Sequence, residues 1–475
     1  MNPSLGRGAG RALPGGSHMI PGGPSVPLFL GRSSRPLLAA LCLLFALPSS
    51  AQSLADRLDF SMYGRVGVGW APTSGEFIQG KTFNLTGRSV GGRLEEGDYL
   101  EPSLKLHLLK PAEGSVDAPY AYAVLTPAMW ANNGLFIGLT SNRFSSTLAL
   151  ELGEAYVAAG NILVPGLKFW GGVRFYRGTN VYLADYWYFN NLSAQGLGVQ
   201  YGPIDVAVLL QTSATLAEYA VDTDGDGEPD RRRQRTVIVG QYTHTFQSKH
   251  AIHLLTEIHA LPEAASLAPA DARILPPDVG VVGGVKGHVE LGNGSFNDTS
   301  VRIGSRIANG SLAGLPTWNT YGLPAANGRY SGAYGVEVVN HLLYNVNPLL
   351  SVNAYGTLHA GRGASGAVTD RYVEYALGAQ STLYLHDQFH LVNEASFQGF
   401  REGHQRYGTA LKLSLVPTLV PTGKRDVWAR PHLRLFYTLA VYNQASVDRL
   451  ISPYLQTVGG STVGHYLGAR VEWWL

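Results

Sequence analysis

The sequence predicts an all-β fold, a transmembrane antiparallel β-barrel of about 18 strands with one loop folded inward as a constriction. Three observations carry this. Apolar and polar residues alternate with a period of two in segment after segment, and the polar side also carries arginines and aromatic rings. The chain opens on an export leader, yet no later window offers the long uncharged apolar run that a membrane-crossing helix needs. Finally, the stretch Arg174–Asn190 is rich in aromatic rings around a single acid, Asp185. It is too apolar for an ordinary solvent loop and has no helical stripe, so it needs a place that is polar but sheltered, such as the inside of a wide barrel.

In chain order, residues 1–51 read as a signal peptide with an extended N-terminus. Arg32 and Arg35 precede the apolar run Leu37–Leu47, and Ser49, Ser50 and Ala51 supply small residues for cleavage. The run is too short to span a membrane as a mature helix. Met19 is an alternative start, and the only cysteine, Cys42, follows Leu41 rather than the small residue that a lipid-anchor box wants. Residues 52–475 form the barrel domain and carry no disulfide framework. The leader holds four arginines and no acid, which leaves 32 Lys+Arg against 34 Asp+Glu. That balance gives no nucleic-acid footprint. Exported, rich in tyrosine and glycine and low in charge is the profile of an outer-membrane barrel.

The first strand sets the period. Phe60, Met62, Gly64, Val66, Val68 and Trp70 share one face, and Ser61, Tyr63, Arg65, Gly67 and Gly69 the other. The next repeats it, with Leu100, Pro102, Leu104, Leu106 and Leu108 outward and Tyr99, Glu101, Ser103, Lys105 and His107 inward. Proline inside the ladder is its one blemish. Near the C-terminus, Val427–Val441 reads as one strand with Trp428, Arg430, His432, Arg434, Phe436 and Thr438 inward. The last strand puts Tyr466, Gly468, Arg470, Glu472 and Trp474 inward, with Trp473 and Leu475 toward lipid. A soluble sandwich also alternates, but it would not gather arginines and aromatics on its inner face. Strand centres fall near residues 64, 100, 123, 155, 172, 198, 208, 240, 254, 285, 302, 338, 354, 376, 394, 411, 434 and 469. Short turns (Pro165-Gly166, Asn347-Pro348, His386-Asp387) alternate with long polar connections.

One polar connection carries metal chemistry. Asp222, Asp224, Asp226, Glu228 and Asp230 alternate around a glycine, which presents hard oxygens about a tight turn as calcium requires. Arg233 stands where a closing bidentate acid would be, so the segment reads either as a structural calcium loop or as a polar external loop. No other cofactor is called for. His253, His259, His432 and Glu257 sit on inward positions without the convergence a hydrolase needs, so no catalytic residue is assigned.

Several of these motifs together resemble the maltoporin family of sugar channels. Phe60–Trp70 resembles its first strand. Gly171–Tyr176 followed by Val181–Tyr188 resembles its constriction strand and loop, and Trp428–Phe436 with Gly468–Trp474 resembles its last two strands. The resemblance implies an 18-stranded homotrimeric channel in the outer membrane of a Gram-negative cell, passing malto-oligosaccharides along a slide of aromatic rings flanked by ionisable groups. It places Tyr63 and Trp474 on slide positions and Trp187 at the constriction ring. Trp130, in the long connection after the third strand, is expected to match the slide residue lent by a neighbouring subunit. Arg65, Arg93 and Asp185 match the polar track. Glu101 replaces a slide tyrosine, with Tyr99 two residues away on the same face. Gly153 and Gly178 replace track arginines; Arg177 compensates for the latter, and Arg174 is a further lumen cation. The implied function is facilitated diffusion of maltodextrin-like or other oligosaccharides. A less selective porin, or a barrel serving as scaffold for an enzyme or receptor, are the other readings.

Overall fold

A computed structural model describes residues 54–475 except 112–113, 132–133, 135, 137–147, 213–219, 222–230 and 266–273. Eighteen long strands form one antiparallel sheet. They are β1 (Leu58–Ala71), β2 (Tyr99–Leu109), β3 (Tyr120–Ala131), β4 (Leu148–Gly160), β5 (Lys168–Arg174) and β6 (Ala194–Tyr201). Then come β7 (Ile204–Thr212), β8 (Gln234–Thr245), β9 (Ala251–Leu261), β10 (Asp278–Gly292), β11 (Ser295–Ser305) and β12 (Tyr334–Asn347). The last six are β13 (Leu350–Arg362), β14 (Arg371–His386), β15 (Phe389–Glu402), β16 (Gly408–Leu419), β17 (His432–Tyr442) and β18 (Val463–Trp474). Each pairs with its neighbours in sequence, and β18 pairs back onto β1 from Tyr63↔Trp474 to Trp70↔Leu467. Closure leaves no strand edge, which matters in lipid because an unpaired backbone N–H or C=O there has no water to turn to. Each strand centre expected from the sequence falls inside one of these strands.

The two faces follow the alternation. Leu197, Ile303, Leu377 and Leu435 are exposed on the outside, where hydrocarbon rather than water suits them. Trp473 lies on this outer face over Gly64, where a β-carbon would come within 2.3 Å of the ring. Tyr63, Arg470, Glu472 and Trp474 face the lumen, in agreement with the sequence pattern. The proline of β2 does disturb the ladder: pairing with β3 is interrupted between Leu100 and Leu104. The same stretch of β3 holds Pro127, next to a register shift against β4.

Two sequence expectations need correction. Val427–Pro431 is not strand, and β17 begins only at His432. Asp426 turns the chain there, its side chain accepting from Trp428 N at 2.9 Å and its carbonyl from Ala429 N at 3.1 Å. Pro431 then has no N–H to add to a ladder. Trp130, in turn, lies inside β3 rather than in the connection after it. It stands opposite Tyr99 on the same lumen-facing side, so it belongs to this chain's own pore wall rather than to a neighbour's.

Short turns, including 202–203, 293–294, 348–349 and 387–388, join strands at the end that also holds both ends of the barrel chain. Long connections join them at the other end, the arrangement of outer-membrane barrels with periplasmic turns and external loops. Among the described residues, the long connections 175–193, 72–98 and 306–333 fold into the lumen. The segment 175–193 buries Val181, Leu183, Tyr186, Tyr188, Phe189 and Leu192 against Ala207, Leu209, Val237, Val239 and Leu255 of the wall. Segment 72–98 docks on the opposite wall, where Lys412 Nζ meets Glu95 at 2.8 Å and Asn84 Oδ1 at 2.9 Å, all three fully buried. Segment 306–333 fills space between them, with Thr317 N donating to Asn191 O at 3.0 Å. The sequence reading anticipated only the first of these inward loops.

Candidate functional site

The narrow part of the lumen is built around the tip of segment 175–193. Asn180 and Val181 pair with Trp187 and Tyr186 as a two-residue ribbon. Between them a single turn, Tyr182–Ala184, is closed by Asp185 at φ 44° with its N–H donating to Tyr182 O. Asp and Asn tolerate this left-handed conformation better than other side chains, because their short polar groups bond locally. The ribbon is pinned to the wall behind it. Tyr186 Oη donates to Glu337 Oε2 at 2.7 Å and lies 2.6 Å from His359 Nε2, while Phe189 N donates to Glu337 Oε1 at 2.9 Å. Tyr188 Oη reaches Asp298 at 3.2 Å, and Tyr176 Oη reaches Asp205 at 3.0 Å.

In front of the tip is a cavity of 440 Å³ lined by Tyr63, Arg65, Arg93, Tyr99, Glu101, Arg177, Asn180, Tyr182, Asp185, Trp187 and Trp428. Eight of the eleven residues expected from the sequence to meet solute therefore converge on one space. Of the others, Trp474 stands just behind it, edge-on to Tyr182 at 5.6 Å. Arg174 lies away from it, stacked between Tyr156 and Trp170 at 5.3 and 5.1 Å. Trp130 is on the same wall as Tyr99 but does not line the cavity. Gly153, where the family pattern has a track arginine, lies under the Phe175 ring, and Arg177 stacks on that ring at 3.7 Å and on Trp187 at 4.4 Å.

Charge in the cavity is held in place from behind. Glu472, almost fully buried, accepts from Tyr63 Oη at 2.9 Å and Tyr182 Oη at 2.5 Å, and pairs with Arg434, Arg430 and Arg93 at 3.0, 3.4 and 3.6 Å. It thereby ties β1, β17, β18, the inward loops and the turn before β17 to one anion. Glu96 does the same on the other side, pairing with Arg65 at 2.9 Å and Arg93 at 3.3 Å. Burial alone would push the Asp185 carboxyl up, but the guanidinium groups of Arg93, Arg65 and Arg177 outweigh it and hold the group below the usual carboxylate range. Burial, and then the Glu472 carboxylate, push the Tyr182 phenol up, so it remains a proton donor.

Three groups that the sequence reading left without a role thus belong to the site. Tyr182 and Trp428 meet edge to face at 5.7 Å on the cavity wall, one from the external loop and one from the turn 420–431 at the opposite end of the barrel. Glu472 is the shared anion behind them. The signal for Trp428 was its place beside Arg430 and Pro431 in a motif already singled out; nothing in the sequence alone marks Glu472 as the hub. Among the described residues no cluster of acids and histidines is suited to a metal ion, and the carboxylate run Asp222–Asp230 lies outside the described residues.

Among solved structures, the outer-membrane channel DcaP of Acinetobacter baumannii is 9% identical, with a TM-score of 0.46 over 90% of this chain and 100% of that one. OccK9 (OpdG) of Pseudomonas aeruginosa is 8% identical, with a TM-score of 0.43 over 89% and 99%. An anion-selective porin from Comamonas acidovorans is 9% identical, with a TM-score of 0.41 over 87% and 98%. A family profile described as LamB porin matches residues 58–474, from the first residue of β1 to the last of β18. The chain belongs to the LamB porin family, and it is a porin of the Gram-negative outer membrane.

Proposed function

We propose that this porin is selective for carbohydrate and passes maltodextrin-like or other oligosaccharides by facilitated diffusion, without energy input. The observation that carries the reading is the composition of the constriction. Five rings (Tyr63, Tyr99, Tyr182, Trp187 and Trp428) line the same 440 Å³ as Arg65, Arg93, Arg177, Glu101 and Asp185. Pyranose faces are weakly apolar and stack on such rings, while sugar rims exchange hydrogen bonds with charged groups. Each contact is replaceable by the next, as passage without trapping requires. Trp474 and Trp130 extend the aromatic surface beyond the cavity in this reading, and the assembly is the homotrimer that the family implies.

One observation favours the general-porin alternative. Glu101 stands where the family pattern has an aromatic ring, which interrupts the slide. Single-channel conductance in a planar bilayer, titrated with maltose, maltotriose and sucrose, separates the two. Saturable closure by a sugar is expected; a current that none of the three blocks would reduce the protein to a general porin.

A further inference from the structure

The outside of the wall carries a feature that passage through the lumen does not use. Arg362 ends β13 and Arg371 begins β14, and the two stand directly opposite each other in the ladder. Both face outward, because their neighbours Gly361 and Tyr372 face in: the Tyr372 ring lies against Gly361 and its hydroxyl donates to Ser311 O at 2.8 Å. Across from Arg362 on β12 stands Tyr334, 48% exposed, with its ring centroid 6.0 Å from the guanidinium. One strand further round, Arg401 of β15 faces outward beside the buried Phe400, and lies over Tyr407 at 4.5 Å. Below these cations the same face becomes aromatic, with Tyr375 6.0 Å from both Tyr407 and Phe397. It then becomes aliphatic at Leu377.

Like charges directly opposite on a sheet repel and weaken the pairing. Among the described residues no carboxylate forms an ion pair with Arg362, Arg371 or Arg401. The adjacent Asp370 is engaged inward, accepting from Leu323 N, Ser365 N and Ser365 Oγ at 3.0, 3.0 and 2.6 Å. The connections at this part of the rim, 363–370 and 403–407, are the shortest at the external end.

We propose that this face binds the phosphate group of a phosphorylated glycolipid in the outer leaflet. The three guanidinium groups take the phosphate through charge-assisted hydrogen bonds. Tyr334, Tyr407 and Tyr375 sit at headgroup depth, where amphipathic rings settle, and Phe397 and Leu377 meet the acyl chains. The surface below the cations is what favours a lipid over a free anion, which would have no use for it. This reading rests on the outer-membrane location and is independent of sugar selectivity.

The test uses the purified porin in neutral detergent, titrated with diphosphorylated lipid A and followed by native mass spectrometry and thermal unfolding. The comparison is the triple variant R362Q/R371Q/R401Q. The parent protein is expected to retain the lipid and unfold at higher temperature in its presence; the variant should bind about ten-fold more weakly at unchanged conductance. Should the triple variant fail to fold, R401Q alone is expected to show a smaller loss of the same kind. Equal binding by the variants, or equal binding of the dephosphorylated lipid, would overturn the proposal. So would an equal thermal shift with inorganic phosphate, or a changed oligomeric state, which would put a second copy of the chain on this face.

Discussion

At the scale of single residues, two tryptophans reach the constriction from opposite ends of the barrel. Trp187 is carried by the inward external loop and Trp428 by the turn before β17. Each presents a ring to the same cavity, so each is expected to contribute both to its narrowness and to sugar retention. Trp187→Ala and Trp428→Ala should each raise single-channel conductance. Each should also weaken sugar block about five-fold, from loss of roughly 1 kcal/mol of stacking. An unchanged conductance in the Trp187 variant would mean that the tip of 175–193 is not limiting. Tyr63 was legible in the sequence because strand parity and the family motif agree on it, Tyr99 and Glu101 because of parity alone, and Asp185 because of the motif of the constriction loop. Trp428 was legible as inward but not as a pore ring. Parity was carried past Pro431 into residues that the structure folds as a turn, where a period of two says nothing about direction.

At the scale of elements, the inward loop is stable because it replaces water on an apolar stretch of wall. That same fact shows in the wall strands behind it. In β7 to β9 the outward Val206, Val208, Ile238 and Ile258 alternate with inward Ala207, Val237, Val239 and Leu255, so both faces are apolar there and the contrast of the first and last strands is lost. The inward set is apolar because segment 175–193 covers it, a tertiary cause absent from local sequence. The docking of 72–98 and 306–333 was illegible for a related reason, since their anchors Glu95, Asn84 and Thr317 find partners far away in the chain. Glu337 holds the constriction loop by two hydrogen bonds, from Tyr186 Oη and Phe189 N. Glu337→Ala leaves Phe189 N buried without its acceptor and Tyr186 Oη with His359 Nε2 alone, and should destabilise the loop by about 1–3 kcal/mol. The expected readout is a noisier open-channel current with frequent conductance steps; a current as quiet as the parent's would mean that packing alone holds the loop.

At the scale of the whole molecule, the constriction is nearly balanced in charge. Arg65, Arg93 and Arg177 face it together with Glu101 and Asp185, while Glu96 and Glu472 neutralise the arginines from behind. A pore balanced in this way has little reason to rank small ions, which suits an uncharged solute, so the reversal potential in a potassium chloride gradient should lie near zero. Asp185 is the acid on which the balance turns, because a third of its side chain stays open to the lumen while three guanidinium groups surround it. Its folded-state pKa is depressed below the ordinary value of 3.8, so its contribution to the ordered loop is fully present above that value. The contribution is lost only as pH falls through the lower folded-state value. Protonation of Asp185 should therefore move the reversal potential toward anion selectivity only below about pH 4, its charge being fully in place from there up to pH 7. Asp185→Asn should produce the same anion-selective shift already at pH 7. A shift that sets in near pH 6 in the parent protein would mean that another group controls the charge of the constriction.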